Sequence, residues 1–331
     1  MSDNIKIVTS RTPLRITFAG GGTDIPSYYR RYGPGAVLSA TINKYIYVTV
    51  AENFYRDEIR VSYSRTENAI KNVEDIQHPT VREALKLLDI RSGIQVISIT
   101  EIPSRGTGLG SSSSFLVGLL NALHAWRGEA VSPKQLAEEA VKIEREILKE
   151  PGGKQDQYMA AYGGINLMEF FPDENVNMIR TEIPPGLDDH LLMIFTGIER
   201  DGTMIHSVQR NLVEENLDGY NMARDFAYKA FSVLREGDYG VLGDIMGKNW
   251  NIKKKFSPGI TNPTIDEIYE KAINAGAIGG KLQGAGGGGF FLFIVNPERK
   301  ENVRNALSNY RAMSIRITDR GSEIVYLETR N

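Results

Sequence analysis

The chain has 331 residues, 41% of them apolar and 24% charged, with a formal net charge of −2 from 39 basic and 41 acidic side chains. That length exceeds one ordinary compact domain and predicts two, while the near-neutral balance lacks the basic excess of a protein whose main partner is nucleic acid. The absence of cysteine excludes disulfides, thiolate metal sites and cysteine nucleophiles.

The polar start, Met1 to Lys6, lacks the apolar core of a secretory signal. The longest fully apolar run, Phe290 to Val295, is far short of the roughly 20 residues that span a bilayer. A cytoplasmic protein with no membrane partner is the expectation.

In chain order, Ile5 to Val50 reads as extended segments rich in β-branched and aromatic residues, interrupted by glycines at Gly20 to Gly22 and Gly33-Pro34-Gly35. A helix is predicted over Thr80 to Leu88 and a strand over Ile94 to Ile99. A glycine-serine segment leads into an apolar helix, Ser112 to Trp126. A second helix opens at Ser132-Pro133, with a serine cap and a first-turn proline, and stops at Pro151-Gly152-Gly153. Strands follow at Gly164 to Phe170 and Asn177 to Ile183. Pro184-Pro185-Gly186 is the expected boundary between two domains, 1–185 and 186–331. Beyond it come a strand (Leu191 to Phe195), helices near Glu215 to Leu234, Val241 to Ile252, Ile265 to Ala275 and Arg299 to Leu307, and strands at Phe290 to Val295 and Ile324 to Leu327. Strands and helices mix without strict alternation, so the predicted class is α+β.

Four segments carry candidate chemistry. The stretch from Pro103 to Ser114 holds Gly106, Gly108 and Gly110 at alternate positions, followed by serines in the first turn of a helix. Glycines there let the backbone approach a ligand, and the unpaired N–H groups of the helix start face the loop, which together make an anion cradle suited to phosphate. No lysine follows the final glycine, so it is not a Walker A loop. The second segment, Lys281 to Phe290, fits GxGxxG formally, but a strand follows where a dinucleotide site needs a helix. The third places Arg15 in a strand ahead of Gly20, Gly21, Gly22, Thr23 and Asp24; the fourth sets Glu144 in a helix before Gly152, Gly153, Lys154 and Asp156. Taken singly, these three are equally compatible with structural turns and solvated charges. The four histidines, His78, His124, His190 and His206, have no metal-ligand spacing and read as structural or surface residues.

Together the segments resemble the three motifs of the GHMP kinase superfamily, in order and across almost the whole chain. The AGGGTD sequence around Asp24, the Gly35 to Asn43 segment and Lys281 to Gly289 are most similar to its heptose 7-phosphate kinases. The resemblance implies two-domain GHMP architecture, with a ribosomal-protein-S5-like N-terminal domain and a ferredoxin-like C-terminal domain. It also implies transfer of phosphate from ATP, with Mg²⁺, to the anomeric hydroxyl of a heptose 7-phosphate, in GDP-heptose and surface-polysaccharide biosynthesis.

By position, the resemblance implies that Asp156 is the catalytic aspartate and Arg15 its basic partner. Gly106, Thr107, Gly108, Leu109, Gly110, Ser111, Ser112 and Ser113 would bind ATP, and Ser112 and Glu144 would bind Mg²⁺. Gly21, Gly22, Thr23, Asp24, Gly286 and Gly287 would meet the acceptor, with Lys154 and Arg105 offered for its phosphate. Galactokinase has Glu-His where this chain has Gly21-Gly22, which disfavours galactose and suits a bulkier acceptor. Another sugar kinase of the superfamily (fucose- or galactose-type) and a sugar sensor on the same scaffold stay open, as does a homodimer.

Overall fold

The computed structural model describes residues 5–103, 106–200 and 202–330. The first part of the chain runs β1 (Ile5–Ala19), α1 (Pro26–Tyr32), β2 (Gly35–Glu52), β3 (Ile59–Ser62), β4 (Thr66–Ile70), α2 (Pro79–Leu87), β5 (Ile94–Thr100) and α3 (Ser111–Trp126). It continues with α4 (Pro133–Val141), α5 (Gln155–Tyr162), β6 (Ile165–Phe170) and β7 (Val176–Thr181). The remainder is α6 (Leu187–His190), β8 (Leu191–Phe195), α7 (Thr203–Asn211), α8 (Leu217–Glu236), α9 (Tyr239–Lys253), α10 (Pro263–Asn274), β9 (Ala277–Leu282), β10 (Phe290–Val295), α11 (Lys300–Ala306), β11 (Ala312–Met313) and β12 (Glu323–Thr329).

Two sheets organise these elements. Eight strands form the first, in the order β12-β1-β2-β5-β3-β4, with β6 on β2 and β7 on β6; the second is β11-β8-β10-β9. Mixed sheets and helices agree with the expected α+β class. The sheets divide on either side of Pro184-Pro185-Gly186, except that β12 returns to pair with β1, Val8 facing Leu327.

Strand β2 explains how one sheet serves two jobs. It pairs with β1 along most of its length, while its other edge is shared between β6 at Gly35–Ala40 and β5 at Ile46–Glu52. Strand β1 changes character midway. Its first half alternates between buried and half-buried positions, whereas Leu14 to Ala19 is buried throughout, because α3 and α8 both pack against it. A continuous apolar run is what a strand covered on both faces needs. Arg15 and Thr17 are the polar exceptions within that buried stretch.

Local signals set the helix starts. Ser132 accepts from the Gln135 N–H ahead of Pro133, Asp238 accepts from Val241, and Asn262 accepts from Ile265 ahead of Pro263. In the second sheet β10 is buried at every residue, and α9 lies directly on β9. A Cβ on Gly279 would stand 2.0 Å from the Gly243 carbonyl oxygen of α9, so these two backbones are in contact. Gly279→Ala must push α9 off the sheet, at a cost of about 2 kcal/mol. Urea unfolding should show a lower midpoint with an unchanged slope.

Candidate active site

The glycine-serine loop folds as a string of left-handed turns, with φ of +70° at Gly106, +73° at Gly108 and +76° at Gly110. Side chains are also excluded by contact: a Cβ on Gly108 would fall 2.4 Å from the Gln283 carbonyl oxygen. The Lys281 to Phe290 segment is therefore pressed against this loop, and the Phe290 N–H donates to the Thr107 carbonyl at 3.2 Å. Gly110 ends the loop and caps α3, whose N–H groups at Ser111 to Ser113 are left free by the helix geometry. Ser114 anchors the turn through its hydroxyl to the Pro13 carbonyl.

Beside Gly110 lies Asp156. Its carboxylate receives two parallel hydrogen bonds from Arg15, 2.7 Å from Nε and 2.8 Å from the second terminal nitrogen. The third arm of that guanidinium donates to the Gly108 carbonyl at 2.5 Å, and the Arg15 N–H donates to Leu109. Arg15 is buried while about a fifth of Asp156 remains exposed. Burial works to raise the Asp156 pKa, but the charge and hydrogen bonds of Arg15, with a smaller contribution from Arg145, hold it below the usual carboxylate value. Asp156 stands in the first turn of α5, a helix that the mixed sequence Gln155 to Tyr162 did not announce.

The helix holding Glu144 changes winding. After α4 the chain takes a π-helical turn over Lys142–Ile147, a form that often marks functional positions. Glu144 is thereby buried against the start of α3, where its carboxylate accepts from Ser112 at 3.1 Å, Ser113 at 2.8 Å and the Gln157 amide. Arg145, next in sequence, lies 3.7 Å from the Glu144 carboxylate and donates to the Gly153 carbonyl at 2.9 Å, holding the turn before α5.

Asp24 is buried and accepts from the Gly22 and Gln155 N–H groups at 3.1 and 3.2 Å. Burial, and then the charge of Asp156, raise its pKa. A Cβ at Gly153 would sit 1.8 Å from its carboxylate, so this glycine makes room for the acid.

A pocket joins these groups. It is lined by Arg15, Thr17, Gly21, Gly22, Asp24 and Asp156, with Arg145, Gln155 and Gly153 from the α5 side. Across from them stand His206, Gln209, Lys253, Lys281 and Gly284. Several residues singled out in the sequence lie elsewhere. Thr23 turns its hydroxyl to the Gly20 and Ala36 carbonyls and serves the turn. The Lys154 ammonium, at the residue that precedes α5, pairs with Glu174 beside the Tyr29 ring and does not line the pocket. Gly286 and Gly287 pack against Ile260 and Arg200. The room expected at Gly22 is partly taken by Gln209, whose amide would stand 2.9 Å from a Cβ there. Arg105 lies outside the described residues.

Lys253, Lys281, His206, Gln209 and Arg145 were not legible as site residues. Lys253 hides in the run Lys253-Lys254-Lys255, which looks like solvated surface. Lys281 carried a signal, as a charge inside an otherwise apolar and glycine-rich strand. His206, read as structural or surface, is on the pocket wall, and burial together with Lys253 lowers its pKa to about 4.

Two family models match the chain: residues 76–164 fit the GHMP kinases N terminal domain and residues 230–312 the GHMP kinases C terminal domain. A D-glycero-alpha-D-manno-heptose 7-phosphate kinase from Campylobacter jejuni is 33% identical over 322 residues, covering 92% of this chain and 94% of that one. The chain belongs to the GHMP kinase family. The crystal structure of a D-glycero-D-manno-heptose 1-phosphate kinase from Bacteroides thetaiotaomicron superposes with a TM-score of 0.80 at 27% identity, over 96% of this chain and 99% of the other. A putative sugar kinase from Campylobacter jejuni gives 0.75 at 30% identity, over 97% and 98%. This GHMP kinase thus has the family's fold, with N- and C-terminal domains, and the family's use of ATP.

Gly153→Ala tests the site's geometry. It should displace Asp24 and lower kcat/KM for the acceptor by about 100-fold, since roughly 1 Å of misplacement has that effect. Nucleotide affinity, measured by calorimetry, should be retained.

Proposed function

We propose that this GHMP kinase transfers the terminal phosphate of ATP to the anomeric hydroxyl of D-glycero-D-manno-heptose 7-phosphate, giving the 1,7-bisphosphate for GDP-heptose and surface-polysaccharide biosynthesis. The observation that carries the chemistry is the Arg15–Asp156 pair, standing between the phosphate-type loop and the polar pocket. The heptose relatives named above support the acceptor class. So does Gly21, which leaves its place in the pocket lining without a side chain. No helix among the described residues is long and apolar enough to cross a membrane; a cytoplasmic location belongs to the proposal.

Each step is assigned to this chain's residues. The N–H groups of the loop and the α3 start, from Gly106 to Ser113, receive the triphosphate. Asp156 accepts the hydrogen bond of the anomeric hydroxyl, points its oxygen in line with the outer phosphorus and takes the proton as the bond forms. A carboxylate of depressed pKa suffices, because the loose transition state of phosphoryl transfer sheds that proton late. Arg15 keeps Asp156 ionised and fixes its rotamer. Asp24 and Gln155 hold ring hydroxyls.

Glu144 and Ser112 suit Mg²⁺ chemically, as a carboxylate and a hydroxyl already adjacent. Among the described residues there is no cluster of three or more His, Asp or Glu able to hold a metal ion. Glu144 and Ser112 would hold Mg²⁺ from the protein side, with water and the substrate phosphates as its other ligands. When bound, Mg²⁺ would offset the charge on the phosphate oxygens. The division into domains 1–185 and 186–331 belongs to the same proposal; it is supported by the two sheets and qualified by the return of β12 to the first.

A coupled ATP-consumption assay over a panel of sugars and sugar phosphates, with the product phosphate located by NMR, tests the acceptor. Turnover should be greatest with the heptose 7-phosphate and the new phosphate should be on C1. Preference for fucose or galactose would replace the heptose reading, and tight binding without turnover would indicate a sensor. Asp156→Asn should lower kcat by about 100- to 10,000-fold while nucleotide binding survives. Unchanged turnover would remove Asp156 from its role.

A further inference from the structure

Two buried lysines face the acceptor pocket without a carboxylate partner. Lys253, at the last residue of α9, is 5% exposed, and Lys281, in β9, is 1% exposed. Among the described residues no acid forms an ion pair with either. Each donates to a single backbone carbonyl, Lys253 to Gly284 and Lys281 to Thr17. An ammonium has three donors, so both retain unused hydrogen-bonding capacity.

Burying an ammonium without a counter-charge is costly, and a bound anion is what offsets it. The pocket lining holds four basic side chains, Arg15, Arg145, Lys253 and Lys281, against two acids, Asp24 and Asp156; burial, and then the charges of Lys253 and Arg15, push the Lys281 pKa well below its ordinary value, which leaves Lys253 as the cation in want of a counter-charge. Arg15 is already committed to Asp156, and Arg145 to the 150–153 turn. The ATP phosphates have their own donors in the glycine loop and the α3 start. The excess that remains is on the Lys253 side, where the His206 Nδ1 is buried and, among the described residues, has no hydrogen-bond partner. Sugar hydroxyls alone call for no such excess.

We propose that Lys253, with Lys281 behind it and His206 beside it, is the subsite for the phosphate that the acceptor already carries, an inference that rests on reading the pocket as a sugar-phosphate site. The acceptor then spans the seam of the molecule: its reacting hydroxyl meets Asp156 of α5, and its phosphate meets residues of α7, α9 and β9. Burial, and then the charge of Arg15, lower the Lys253 pKa to about 8. It is therefore still largely protonated at neutral pH, and a bound phosphate restores its proton affinity. Lys154, the alternative cation, is held by Glu174.

The test compares D-glycero-D-manno-heptose 7-phosphate with unphosphorylated D-glycero-D-manno-heptose, in the wild type and in Lys253→Met. The ratio of kcat/KM for the two sugars should fall about 30-fold in the variant, the value of one charge-assisted hydrogen bond, and the loss should appear in KM for the phosphorylated sugar. Lys253→Met removes an uncompensated charge, so its melting temperature without ligand should match or exceed the wild type. A lower value would reflect the Gly284 carbonyl left without its donor, and Lys253→Gln, which keeps an N–H donor, should then show the same fall in the ratio; an unchanged ratio there overturns the inference. An unchanged ratio overturns the inference alone. An equal loss of kcat with both sugars also overturns it, by moving Lys253 to the transferred phosphoryl group. If the wild type uses neither sugar, the functional reading falls and takes this subsite with it.

Discussion

The bidentate bond between Arg15 and Asp156 is the constraint around which the site is built. Arg15 comes from the fully buried half of β1, and Asp156 from the first turn of α5, 141 positions later. The same guanidinium holds the Gly108 carbonyl, and the Arg15 backbone holds Leu109. One residue therefore fixes the phosphate-type loop, the acid and the sheet relative to each other. Its charge is removed from water at a cost that only full use of the fork can offset.

The surrounding backbone is shaped to allow that bond. A side chain at Gly153 would strike the Asp24 carboxylate, and one at Gly110 would crowd Arg15 and Asp156 at 3.3 Å. The π-helical turn at Lys142–Ile147 sends two consecutive residues to opposite duties, Glu144 to the serines of α3 and Arg145 to the turn before α5. The long strand β2 gives its two ends to different neighbours, β6 at Gly35–Ala40 and β5 at Ile46–Glu52, and so ties the parts of the first sheet together. These are rigid devices, and rigidity in the supporting elements is what positions a phosphoryl acceptor.

Much of this could be read from the chain. The helices at Pro79–Leu87, Ser111–Trp126 and Pro263–Asn274 stand within a residue or two of their expected bounds, because caps, prolines and apolar spacing act over a few neighbours. The short helices α1, α5, α6 and α7 were not read from the sequence: each has nine residues or fewer, and packing against other elements sustains them. The site was legible where it is made of glycine turns and acids. It was not legible at Lys253, Lys281 and His206, whose significance comes from being buried against groups that lie outside their own segments.

The sequence by itself determined the mixed α and β class, the left-handed glycine loop, the helix start that follows it and the order of the motifs. Each depends on φ, on capping or on periodicity within a short window. Only the tertiary structure decided which charges are buried and what they meet. Lys154 and Lys253 are equivalent as letters, yet one is neutralised by Glu174 and the other faces the pocket without an acid. Burial and partner choice are set by contacts between distant segments, and a lysine's electrostatic meaning lies in those contacts.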